Sequence, residues 1–97
     1  MTLYEFDKKI DELKIVRSKA EGIRRSRVNS VIEKLEMKRL ENITESLRNM
    51  ETTITAEDLT DLTNIADTFE NSAQEIQNVN NLIDNSIGIG KRILALL

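Results

Sequence analysis

Leu59, Leu62, Ala66, Phe69, Ala73, Ile76, Asn80, Ile83 and Ile87 are separated by alternating steps of three and four residues, and no other feature of this sequence limits its fold as strongly. Such spacing lines one side of an α-helix and builds a heptad seam, here widened by Ile65, Val79 and Leu82. The register runs on through Gly90 to Leu94 and Leu97, at a cost of about 1 kcal/mol for a helical glycine relative to alanine.

The first half carries the same period less regularly. Leu3, Phe6, Ile10 and Leu13 form one stripe, Val16, Ala20 and Ile23 continue on a rotated face, and Val28, Val31, Ile32 and Leu35 resume before Leu40, Ile43, Leu47, Met50 and Ile54. The chain has no proline to stop a helix, and its three glycines stand at 22, 88 and 90. Thr2 and Glu5 have the spacing of a capping box. Thr52, Thr53 and Thr55 weaken helix formation because their hydroxyls compete for backbone groups, and Glu57 and Asp58 suit the positive end of a new helix. The expected fold is therefore all-α: an antiparallel helical hairpin of long helix, turn near residues 52–56 and long helix, with coiled-coil-like packing, in a single helical domain over residues 1–97. A break near Gly22, giving a three-helix bundle, is the rival arrangement.

In such a hairpin residue i lies roughly opposite 108 minus i, which pairs Leu47 with Leu62, Ile43 with Ile65, Leu35 with Ala73 and Arg24 with Asp84. Two helices leave part of each seam uncovered, so a second copy or a partner helix is expected to close it. Residues 1–50 hold 12 basic and 9 acidic groups, and residues 51–97 hold 2 and 8, so the halves attract each other within a net charge of −3.

Missing residue types exclude whole chemistries. Without Cys or His there is no thiolate nucleophile, no Ser-His or Cys-His pair, no sulfur or imidazole zinc site and no disulfide. Gly88-Ile89-Gly90 lacks the spacing and preceding strand of a phosphate loop. The expectation is a non-enzymatic protein with no cofactor and no metal. No apolar run approaches the roughly 20 residues of a spanning helix and no signal peptide opens the chain, so the default location is cytoplasmic, with signal-independent secretion as the alternative.

Three sets of residues are candidates for function. The seam itself, Leu59 to Ile87, is the first, with Asn80 either a buried polar layer that selects register or a solvated residue beside a seam that drifts onto Val79. Arg17, Arg24, Arg25 and Arg27 form a basic partner patch, or else pair with the acidic second half. Nucleic acid is disfavoured as its target, because no aromatic residues interleave with the arginines. Ile89, Ile93, Leu94, Leu96 and Leu97 form an apolar C-terminal segment, read either as bundle core or as a docking segment for a partner groove or an anionic membrane surface.

In size and hairpin layout the chain resembles the small helical hairpins of type VII secretion, with Thr53-Ile54-Thr55 where those carry Trp-x-Gly. The second-half heptads with Asn80 as a polar layer also resemble a SNARE bundle helix. The functional expectation is a protein–protein interaction or assembly module acting through its heptad seam, as a homodimeric four-helix bundle. A small helical chaperone or companion of a secreted effector is the alternative the type VII likeness implies, and membrane-surface binding is the third reading.

Overall fold

Helix α1 (Leu3–Lys19) starts at the expected cap, where the Glu5 amide donates to Thr2 Oγ1 at 3.1 Å. The computed structural model describes residues 1–50, 56–72 and 76–97. Among them it contains four more helices: α2 (Gly22–Arg39), the short α3 (Thr44–Asn49), α4 (Ala56–Asn71) and α5 (Val79–Ala95). The all-α class holds, and so does the break near Gly22. Ala20 and Glu21 are extended, and Gly22 enters α2 at φ +59°, a left-handed conformation that costs a residue with a Cβ.

The long rods are interrupted twice more. Residues 40–43 separate α2 from α3, and α4 ends at Asn71, before Asn78 opens α5 at φ 59°. Asparagine tolerates that left-handed position better than most side chains. Residues 52–55 of the expected turn and Ala73 of the seam lie outside the described residues. Helix α4 does begin at Ala56 with Glu57 and Asp58 in its first turn, as the sequence suggests.

Ion pairs and close contacts fix the helix directions. Asp7 meets Arg39 at 2.7 Å and Lys14 meets Glu36 at 3.1 Å, so α1 and α2 are antiparallel. Arg24 meets Asp84 at 3.1 Å, and a Cβ placed on Gly90 would fall 2.6 Å from Val31 Cγ1, so α2 and α5 run in the same direction. Arg92 meets Asp58 at 3.1 Å while Ile65 and Leu82 share one groove, which makes α4 and α5 antiparallel and hence α4 parallel to α1. The expected Arg24–Asp84 pair therefore forms, but the antiparallel register around it does not continue: seven residues beyond Arg24, Val31 faces Gly90.

Four helices thus stand at the corners of a square in the order α1, α2, α5, α4, with α1 and α5 also touching across the short diagonal. The chain passes from α2 to α4 across the other diagonal. Ile43, Leu47 and Met50 in and around α3 are buried at that crossing, and the Met1 amine donates to the Leu47 carbonyl at 3.0 Å. Phe6, Leu13, Val16, Val28, Leu35, Leu62 and Ile93 are each 0% exposed within this one chain. The radius of gyration is 13.0 Å, near the about 13 Å of a compact 100-residue domain. One chain therefore supplies all four walls of its own core, which the hairpin reading assigned partly to a second copy.

Candidate interaction surface

The seam lies inside that core. Leu62, Ala66 and Phe69 on α4 and Ile83 and Ile87 on α5 are buried, and Leu59 and Ile76 are half-buried. Asn80 is exposed at the start of α5 with Val79 half-buried beside it, so the solvated alternative holds and the buried polar layer does not. Ile89 and Ile93, offered as docking residues, are 2% and 0% exposed and belong to the core, while Leu94, Leu96 and Leu97 are half-buried against it. The reason is topological: α5 has α1, α2 and α4 around it and so carries apolar side chains on a wide arc.

The arginine patch divides. Arg24 grips Asp84 with two hydrogen bonds, at 3.1 and 3.3 Å. Half-buried Arg17 donates to Asn29 Oδ1 at 2.7 Å, and the Asn29 amide donates to Glu33 at 3.0 Å. Arg25 and Arg27 are exposed. Arg17 and Arg25 line a shallow basin of about 420 Å³ with Gly22, Ser26 and Asn29.

One polar site was not anticipated. Lys9 and Glu12, 7% and 5% exposed, form an ion pair at 2.6 Å where α1 packs on α4. Lys9 Nζ also donates to the Leu59 carbonyl at 2.9 Å and to Thr63 Oγ1 at 2.7 Å, and the Thr63 hydroxyl donates to Glu12 Oε1 at 3.1 Å. All three ammonium protons are used, as burial of a charge requires. Lys9 falls three residues after Phe6 on its apolar stripe, with an opposite charge three residues on, and that pattern is the signal that sequence reasoning passed over.

An opening runs between α4 and α5, the side of the square where the helices touch least. It has a volume of about 560 Å³; Ile65, Leu82 and Ile89 form its floor, and Asp58, Asp61, Asn64, Asp84, Asn85 and Arg92 its rim. Gly88 widens it, since a Cβ there would meet only Arg92 Nη1 at 3.6 Å. Asp58 and Asp84 are held by Arg92 and Arg24, whereas Asp61 has no ion-pair partner among the described residues.

Charge is segregated around this opening. Helix α4 carries Glu57, Asp58, Asp61, Asp67 and Glu70 and no base, a net −5. Helix α2 carries Arg24, Arg25, Arg27, Lys34, Lys38 and Arg39 against Glu33 and Glu36, a net +4. The two stand at opposite corners, too far apart to neutralise one another at close range. The outer face of α2 also shows a stripe at steps of four and three: Ile23, Arg27, Ser30, Lys34 and Met37. Its two ends are apolar and open to solvent, Ile23 at 65% and Met37 at 69%. Tyr4 and Leu40, exposed by 78% and 89%, lie at the end of the bundle where α1 begins and α2 stops.

Among the described residues, no group of three or more His, Cys, Asp or Glu side chains could hold a metal ion, and no helix is long and apolar enough to cross a membrane. Compared with protein-family models, curated proteins and solved structures, the chain matches none at a significant level.

Proposed function

We propose that this chain is a non-enzymatic protein–protein interaction and assembly module that works through the outside of its bundle rather than through the heptad seam. The supporting observation is the segregation of charge: one helix at −5 and one at +4, on opposite corners, with an open groove beside the first. Like charges crowded on one surface oppose folding, and a partner of opposite sign relieves that repulsion and is steered to the surface. Half-buried Leu82, over buried Ile65 and Ile89, gives such a partner a small apolar contact between the charges.

Site-specific photo-crosslinking in the native cell tests this reading. A photoreactive residue in place of Asn64, on the groove rim, is expected to give discrete protein adducts, and one in place of exposed Lys8 on α1 is expected to give none. Absence of discrete adducts at position 64, or the same adducts at both positions, would refute the proposal.

A further inference from the structure

We infer that the occupant of the α4–α5 groove is the outer stripe of α2 from a second copy of this chain. The inference rests on the interaction-module reading above and names its partner. Both complementary surfaces are present on one molecule: a groove with acids on its rim and an apolar floor, and a helix face with basic residues between apolar ends.

The spacings agree as well as the signs. Asp58 is level with Arg92, to which it is bonded, and Asp84 lies eight residues earlier on α5, about 12 Å along the groove. Arg27 and Lys34 are seven residues apart on α2, so their stems are separated by about 10 Å on one face. Laid into the groove, the two cations face Asp58 and Asp84 at its two ends, which Arg92 and Arg24 already hold, and Asp61 between them, which has no ion-pair partner among the described residues. Ile23 and Met37, before Arg27 and after Lys34 on the stripe, then lie beyond the two ends of the groove, and the contact over its floor is left to Ser30 and the stems of the two cations.

This contact joins two different surfaces. Helix α2 is across the diagonal from α4, so a copy that fills a neighbour's groove keeps its own groove open. Association is therefore head to tail and proceeds past the dimer, to a ring or a chain. Because the charges are exposed, it weakens as salt screens them.

Analytical ultracentrifugation of the purified full-length chain tests the inference. At about 20 mM salt the weight-average mass is expected to rise with concentration beyond that of two chains, and at about 0.5 M salt to fall back towards one. Arg27→Glu with Lys34→Glu, which spoils the stripe, and Asp61→Lys, which spoils the groove, alter exposed side chains. Each is expected to raise the concentration needed for association by about tenfold or more, with circular dichroism confirming an intact fold. An equimolar mixture of the two variants is expected to form one-to-one pairs and nothing larger, because each supplies the surface the other lacks. A wild-type chain that stays monomeric at low salt, a dimer indifferent to salt, or variants that associate as the wild type does would each overturn the inference. If the pure chain is monomeric while position 64 crosslinks to a different protein in cells, the second copy is refuted and the interaction module stands. Failure of both experiments refutes both.

Discussion

Replacing Gly88 and Gly90 separately by alanine reads out how closely α5 approaches its neighbours. Both lie inside α5, so each substitution gains the same helix propensity, about 0.8–1 kcal/mol. Their surroundings differ. A Cβ at position 88 meets only the end of the Arg92 side chain at 3.6 Å, whereas at position 90 it falls 2.6 Å from Val31 Cγ1 and 3.4 Å from Leu13 Cδ1. Carbon atoms rest at about 3.5–4.0 Å, so the helices or the valine must yield by about 1 Å. Val31 is buried and β-branched on a helix, which leaves it one strongly preferred rotamer and no easy escape. Overpacking of this kind costs about 1–3 kcal/mol. Gly88→Ala should therefore stabilise the protein by about 0.5–1 kcal/mol and Gly90→Ala should be neutral to destabilising by about 2 kcal/mol. The difference between the two variants isolates the clash, because propensity cancels. Urea unfolding followed by circular dichroism measures it, with the slope expected to be unchanged. Val31→Ala should cost less in the Gly90→Ala background than alone, with a coupling of about 1 kcal/mol. Equal stabilisation by both alanines would refute the proposed close approach of α5 to α2.

Gly22→Ala has open space around it yet should cost about 1–2 kcal/mol in urea unfolding, because its φ of +59° is strained for any residue with a Cβ. Lys9→Met should destabilise by about 3–5 kcal/mol, since Glu12 keeps its burial and loses its counter-charge. Replacing the network together, as Lys9→Met, Glu12→Leu and Thr63→Val, should recover most of that loss in the same assay. Arg24→Ala removes a half-exposed pair and should cost under about 1 kcal/mol, a difference that disappears in thermal melts at high salt.

Much of the local structure is legible in the residues themselves. The Thr2–Glu5 cap and the acids that open α4 follow from short-range rules that the fold respects, the break at Gly22 is the rival of a continuous first helix, and the Arg24–Asp84 pair forms although the antiparallel register that suggests it does not. The packing direction does not follow, because a heptad stripe looks the same whichever way its partner runs. A continuous first helix places residues 3–19 in one rod with residues 22–39 and leaves the α4 seam without its fourth wall; in the structure the chain breaks at Gly22, and α1 turns back and provides that wall. Ile89 and Ile93 look available for docking only while α5 has a single neighbour; with α1, α2 and α4 around it, both are buried. Among the candidate surfaces, the arginines were visible in the sequence as a cluster, but the pairing of two and the exposure of the other two depend on neighbours contributed by α2 and α5.

The diagonal passage from α2 to α4 also governs how the chain finds this arrangement. Its antiparallel pairs, α1 with α2 and α4 with α5, join neighbours in sequence and need only short loops to close. The parallel pairs join residues about fifty or sixty positions apart, as Lys9 with Thr63 and Arg24 with Asp84 show. Such contacts form late and slow a helical protein, because the intervening chain must first surrender its freedom. Folding should therefore proceed as the meeting of two preformed halves, and mutations between those halves should speed unfolding more than they slow refolding.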